Sequence, residues 1–164
     1  MQRYFIFIKC SSSPTPNTPF FINMSNQTLF EYCNLFALLA WLPLVFAPRW
    51  HYTQRIVVGV MAMLLASLYV YLVFTSIQPS DLQSFSTLKG VMALFTNEKG
   101  VLAGWVHYLC FDLMTGVFIV QNAIKHQIKH LFVLPCLLFT FMLGPSGLLL
   151  YGLVRVVYGV ARKY

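Results

Sequence analysis

The chain has 164 residues, of which 59% are hydrophobic and only 9% are charged. Soluble domains are about 45–50% apolar and about 25% charged, so a soluble protein of this composition could not cover its surface. The mean hydropathy of +0.71 agrees, and the length suits one bundle of membrane helices. The net charge of +7 is interpreted as membrane anchoring. No basic module with interleaved aromatic residues occurs, which argues against a nucleic-acid partner.

Residues 1–23 differ from the rest of the chain. Their "SSSPTPNTP" stretch is typical of disordered segments, and the apolar "YFIFI" before it is too short for the core of a signal peptide. Met24 then begins the stretch "MSNQTLFEYCNLF", which is typical of a natural N-terminus. We therefore expect a disordered tail over 1–23 and a single transmembrane domain over 24–164.

Four apolar segments follow, at about 28–46, 56–77, 101–120 and 131–157. About 20 apolar residues cross the hydrocarbon core of a bilayer, and a spanning backbone must form helices or a closed barrel. None of the runs alternates with period two, which excludes the barrel. The predicted fold is all-α: a polytopic membrane protein with an antiparallel bundle of four transmembrane helices, the fourth kinked at Pro145.

The connection over 78–100 is longer than the others. Four apolar residues recur in it at helical spacing, namely Phe85, Leu88, Met92 and Phe95. This pattern predicts an amphipathic segment on the membrane surface.

Four antiparallel helices would place the beginning of helix one, the connection 78–100 and the C-terminus on one membrane side, called side A here. Side B then holds the connections between helices one and two and between helices three and four. Lys and Arg are shared almost evenly between the two sides in this arrangement, so the sequence gives no orientation.

Cysteine and histidine spacings give no metal site. His126 and His130 lie four residues apart, which can suit a metal, but no carboxylate or cysteine completes the set. We predict neither a metal nor a cofactor. The four cysteines form no CxxC pair and are interpreted as small buried apolar residues; they are Cys10, Cys33, Cys110 and Cys136.

The third apolar segment carries two polar side chains, His107 and Asp112, in "GWVHYLCFDLMTG". A carboxylate at the centre of a bilayer costs about 3 kcal/mol on insertion scales, so Asp112 needs a partner, water or a function. Matching helix depths predicts a polar pocket open towards side A, with Asp112 at its floor. Asp112 and His107 are its candidate catalytic residues. Its candidate ligand-binding residues are Glu31, Asn34, Trp105, Tyr108, Thr140, Pro145, Tyr151 and Arg155.

Structural explanations exist for several of these residues. Asp112 could hold the bundle together through a hydrogen bond from Tyr108, Thr140 or His107. Glu31 could be a solvated residue at a helix end, and the tryptophans could be interfacial or packing residues. The residues alone allow both a structural role and a role in ligand binding or catalysis.

Three stretches resemble the abscisic-acid-deficiency-four-like family of small four-helix membrane proteins. They are "NLFALLAWLPLVFAPRW", "GWVHYLCFDLMTGVFI" and "LPCLLFTFMLGPSGLLLYGLVR", and the resemblance covers about 34–155. The combination of GW-x-HYL-x-FDL-x-x-G with GP-x-GLLLY-x-x-x-R is specific. The signature residues here include Gly104, Trp105, His107, Tyr108, Asp112, Gly116, Gly144, Pro145, Gly147, Tyr151 and Arg155.

The resemblance implies a membrane location and, for the plant branch, isomerisation of the epoxy-carotenoid violaxanthin to the allenic neoxanthin. That reaction needs an acid to open the epoxide and a base to remove a proton, and Asp112 and His107 are chemically suitable. The N-terminus does not resemble a plastid transit peptide, so we expect a bacterial-type member in the inner membrane.

The predicted partners are membrane lipids and a carotenoid-like or other isoprenoid ligand, and oligomerisation is compatible with the sequence. The enzymatic interpretation is an isomerase of a lipophilic terpenoid. Two alternatives stay open: a non-enzymatic scaffold or accessory subunit of a lipid-modifying complex, and a small proton-coupled transporter.

Overall fold

A computed structural model describes residues 24–76 and 79–161. The predicted tail over 1–23 lies outside the described residues. Every regular element in the described ranges is helical, which confirms the all-α class. The helices are α1 (Asn26–Phe46), α2 (Thr53–Ser76), α3 (Leu88–Leu94), α4 (Glu98–Lys125), α5 (His130–Leu143) and α6 (Pro145–Ala161), and a 3₁₀ segment (Pro79–Ser86) precedes α3.

Three of these helices, α1, α2 and α4, are long and apolar enough to cross a membrane. This confirms the membrane class. Local signals set where two of them begin: the Ser25 hydroxyl accepts a hydrogen bond from the Thr28 N–H at the start of α1, and the Asn97 side chain accepts one from the Lys99 N–H at the start of α4. Both are standard N-cap interactions.

Helix α4 is the centre of the bundle and packs against α1, α2 and α5. More than half of the apolar stretch of α4 is buried, which is at least twice the buried share of the apolar stretch in α1 or α2. Gly116 lets α1 approach closely, because a Cβ atom there would lie 2.7 Å from Cη2 of the buried Trp41. The predicted burial of cysteines is confirmed for Cys33, Cys110 and Cys136, while Cys10 lies outside the described residues.

The predicted fourth helix is not continuous, and this corrects the picture of a single kinked span over 131–157. The chain reverses at Gly144, and α6 runs back along α5. The rings of Phe132 and Tyr158 are 5.5 Å apart, whereas in one straight helix these residues would be separated by about 39 Å.

The reversal has a local cause in the "GPSG" sequence. Gly144 has φ of +52°, a conformation that glycine adopts readily, and Pro145 suits the first turn of a new helix. Gly147 then packs directly on α5: a Cβ atom there would collide with Thr140 and with the Cys136 carbonyl oxygen. A proline alone predicts a kink. The reversal also requires Gly144 for the turn and Gly147 for the close packing of α6 on α5.

The α5–α6 pair is therefore a re-entrant hairpin, entering from side B and returning to it. Helix α5 has 14 residues, about 21 Å of helix, which is shorter than the roughly 30 Å hydrocarbon core. Tyr151 and Arg155, expected towards side A, belong to side B. The Tyr151 hydroxyl donates to Asn122 Oδ1 near the end of α4, at 2.8 Å.

The connection before α4 contains the 3₁₀ segment and α3, and its packing depends on glycines. A Cβ atom on Gly90 would collide with the Ser84 backbone, and one on Gly100 would collide with the Leu94 carbonyl oxygen. The apolar residues Phe85, Leu88 and Met92 are exposed. The position of this connection on the membrane surface stays a prediction.

Candidate functional site

Asp112 lies on α4 against the tip of the hairpin. Its side chain is 8% exposed, and its buried Oδ2 atom has no hydrogen-bond partner among the described residues. The other oxygen faces the turn, because a Cβ atom on Gly144 would lie 2.8 Å from Asp112 Oδ1. The carboxyl group thus sits where α5 ends and α6 begins, at about the middle of α4.

Tyr108, one turn before Asp112, connects the same carboxyl group to the hairpin. Its hydroxyl lies beside Asp112 and donates a hydrogen bond to the Met142 carbonyl oxygen at 3.3 Å. That oxygen is among the last four carbonyls of α5, which have no partner within the helix. Asp112, Tyr108 and the hairpin tip therefore form one polar cluster inside the membrane domain, called the tip cluster here.

A second polar contact joins α1 to α4 nearer side A. The Trp105 indole N–H donates to Asn34 Oδ1 at 2.8 Å, and the Trp105 ring packs on Phe30 and on Tyr108, with centroids 5.4 and 5.6 Å away. Glu31 is exposed and accepts a hydrogen bond from Gln27. Two of the predicted ligand-binding residues, Asn34 and Trp105, thus join α1 to α4, whereas Glu31 bonds within α1.

His107 lies on a different side of α4 from Asp112. Five residues along a helix correspond to a rotation of about 140°, and the neighbours differ accordingly. The imidazole stacks on Phe111 with ring centroids 4.5 Å apart and faces Tyr69 of α2 at 5.1 Å. Asp112 and His107 therefore do not share a pocket in this structure.

His107 instead lines a cavity of about 400 Å³ between α2, the connection and the first turns of α4. This space, the side-A cavity, has aromatic walls from Tyr69, Phe85 and Phe95. Asn97 and Ser76 add polar groups, and none of the described residues that line the cavity is Asp, Glu, Lys or Arg. Within the described residues, neither nitrogen of His107 takes part in a hydrogen bond.

The remaining predicted residues have structural surroundings. Thr140 is fully buried and donates to the Cys136 carbonyl oxygen at 2.8 Å, where Gly147 packs. Pro145 is exposed at the first position of α6. Tyr151 is buried against α4, and Arg155 is exposed one turn further along α6.

The ten predicted site residues thus do not line one pocket. The tip cluster continues through the Trp105 ring to Asn34, whereas His107 lines the side-A cavity and the others lie on α1 or along the hairpin. Sequence reasoning missed Tyr69, Phe85 and Phe95 as walls of the cavity. Helical spacing singled out Phe85 and Phe95 as apolar, but nothing in α2 marked Tyr69. Its significance depends on α2 packing beside His107, which one sequence does not reveal.

The fold and these sites define a polytopic helical membrane protein with a re-entrant hairpin and a cavity near one membrane side. The sequence matches the ABA4-like family (ABA DEFICIENT 4-like) over residues 28–151. The chain belongs to this family.

A curated relative is the chloroplastic protein ABA DEFICIENT 4 of Arabidopsis thaliana, 31% identical over 106 residues. The match covers 58% of this chain and 48% of the relative, so the chain spans about half the length of the curated protein that it matches. No solved structure matches the chain significantly.

Proposed function

We propose that this protein binds an uncharged isoprenoid of the carotenoid type in the side-A cavity and isomerises it. The observation that carries the proposal is a cavity of about 400 Å³ lined by His107, whose ring makes no hydrogen bond to the described residues. Small-molecule sites are typically 300–1,000 Å³, mostly apolar, with few polar groups. The volume suits one ring at the end of a long isoprenoid rather than a whole molecule.

The chain of such a ligand would follow lipid-facing residues of α4. Phe111, Met114 and Phe118 recur at helical spacing below His107 and are 60%, 39% and 50% exposed. Phe111 also stacks on His107, so this apolar stripe begins at the cavity. A polyene lying on it would exchange contacts with lipid tails for contacts with aromatic rings.

Membership of the ABA4-like family supports a carotenoid as the substrate. Isomerisation of an epoxide to an allenic alcohol moves one proton onto the epoxide oxygen and removes another from the adjacent chain, with no net redox change. His107 and Tyr69, with rings 5.1 Å apart, would supply the acid and the base. Asp112 packs at the tip cluster in this proposal and does not contact the ring.

The test uses protein purified in mild detergent and an epoxy-carotenoid such as violaxanthin. Mass spectrometry of the extracted lipid should find a bound isoprenoid, and the wild type should convert the epoxide. His107→Gln should keep binding but lose conversion by roughly a hundredfold, the usual size of a general acid–base contribution. His51→Gln is the matched control, because His51 is exposed in the loop between α1 and α2.

Equal conversion by His107→Gln and the wild type would refute the assigned role of His107. Extracts holding only bulk phospholipid, together with no conversion, would refute the proposal and favour the scaffold alternative.

Proton-coupled transport is a second candidate, favoured by the tip cluster. Discontinuous helices that meet at mid-membrane beside a carboxyl group are typical of ion-coupled transporters, and Asp112 has an unpartnered oxygen there. For this candidate, uptake of the transported solute into vesicles should depend on pH, and Asp112→Asn should abolish that uptake. Unchanged uptake in that variant would exclude it.

A further inference from the structure

We propose that the side-B end of the hairpin binds the headgroup of an anionic phospholipid between Lys125 and Arg155. This site does not depend on the proposed reaction. It follows from the reversal at Gly144, which brings the exposed Arg155 to the end of α4.

A hydrogen bond sets the geometry of this pair. The Tyr151 hydroxyl and Asn122 Oδ1 are 2.8 Å apart and fix α6 against α4. Lys125 lies three residues after Asn122, and Arg155 lies four residues after Tyr151, so each is on the same helix face as its anchor and about one turn nearer side B. Arg155 is also close enough to Tyr151 to interact electrostatically.

Two cations on neighbouring helices repel each other unless an anion lies between them. Within the described residues, side B holds no Asp or Glu, because Glu31, Asp81 and Glu98 belong to side A and Asp112 lies at mid-depth. The protein itself therefore offers the pair no counter-ion in that part of the chain. Arginine and lysine are suited to phosphate groups, and arginine binds them through two parallel hydrogen bonds.

A lipid fits this place better than a soluble phosphate because exposed apolar side chains occupy the same turns of α6 as Arg155. Leu153, Val156 and Val157 are 59%, 65% and 67% exposed and would contact acyl chains. Trp50 is exposed on the same side, as expected at the level of headgroups.

A second pair of cations on side B extends the basic surface. A ring nitrogen of His130 lies 2.8 Å from the Val45 carbonyl oxygen, which joins the start of α5 to the end of α1. Lys129 comes directly before α5 and Arg49 three residues after α1, and both are exposed. Anionic lipids are attracted to such clusters.

The experiment measures lipid binding to the full chain in detergent by native mass spectrometry. The probes are phosphatidylglycerol, phosphatidylcholine and inorganic phosphate. The wild type should prefer phosphatidylglycerol, and the preference should weaken as salt is added. Lys125→Gln with Arg155→Gln should lower affinity for phosphatidylglycerol roughly thirtyfold, about fivefold per cation removed.

Lys89→Gln with Lys99→Gln removes the same charge from side A and is the matched control, expected to change affinity less than twofold. Arg155→Lys, which keeps the charge, should retain most of the binding. Circular dichroism of each variant would show that the helices are intact. Equal losses in the two double variants, no preference of the wild type for phosphatidylglycerol, or equally tight binding of inorganic phosphate would overturn the proposal.

Discussion

The connection before α4 and the hairpin after it pack against different sides of that helix, and their packing differs. The hairpin is tightly closed: Val133, Cys136 and Thr140 are each 0% exposed. The connection leaves Phe85 and Phe95 more than half exposed and borders a cavity of about 400 Å³. Space for a guest molecule therefore exists where packing is loose, not where the helix is broken.

The same contrast separates two neighbouring polar residues. His107 and Asp112 are five positions apart, yet His107 is exposed beside the cavity while Asp112 is buried beside Gly144. A residue accessible from the lipid can meet a ligand, whereas a buried one first contributes to packing.

The largest expected effect is the side of the membrane from which a residue can be labelled, which is all-or-none. Cysteines introduced at Lys129 and at Gly159 should react with a membrane-impermeant thiol reagent from one side of sealed vesicles, and a cysteine at Lys89 from the other. Cys10 is replaced by serine to remove background. The physical reason is the reversal at Gly144, and labelling of positions 129 and 159 from different sides would contradict the hairpin.

The same experiment gives the orientation. Among the described residues, side B carries Arg49, Arg55, Lys125, Lys129 and Arg155, and side A carries Lys89 and Lys99. The positive-inside rule then predicts that side B stays in the compartment where the chain is made.

The largest change in stability is expected in the hairpin. Gly147→Ala places a methyl group against the backbone of Thr140 and Cys136, which cannot move aside easily. The free energy of unfolding should therefore fall by about 3 kcal/mol. Gly152→Ala is the control in the same helix, because nothing lies within 4 Å of its Cβ position. Thermal unfolding in detergent, followed by circular dichroism, measures both variants; equal midpoints would disprove the close α5–α6 packing.

A smaller effect is expected in the connection. A Cβ atom on Gly104 would lie 3.0 Å from Cε1 of Phe95, and an exposed ring can shift by a few tenths of an ångström. Gly104→Ala should cost less than about 1 kcal/mol of stability but change isoprenoid binding severalfold, since Phe95 borders the cavity. Gly59→Ala, at a position with open space, should change neither, and a Gly104→Ala protein with wild-type binding would argue against the cavity as the site.

Composition and run length were sufficient to predict an all-helical membrane protein, because few charges and long apolar runs permit little else. The first three spans were placed near their observed positions for the same reason. The fourth was wrong because "GPSG" is compatible with a kink or a reversal, and the choice depends on whether Gly147 can pack on Thr140. Depth matching along a continuous fourth helix places His107, and not Asp112, level with Gly144–Pro145, whereas the structure packs the Asp112 carboxyl group against Gly144. Depth matching could not separate His107 from Asp112 because that requires knowing which helix lies on each side of α4.

The broken backbone at Gly144 also constrains how the protein is made. Helix ends carry unpaired N–H and C=O groups, which hydrocarbon cannot satisfy, so the hairpin tip is stable only when polar groups of α4 are already beside it. Tyr108 supplies one such partner through its hydrogen bond to the Met142 carbonyl oxygen. The last quarter of the chain, which follows α4, can therefore insert stably only once α4 is in place.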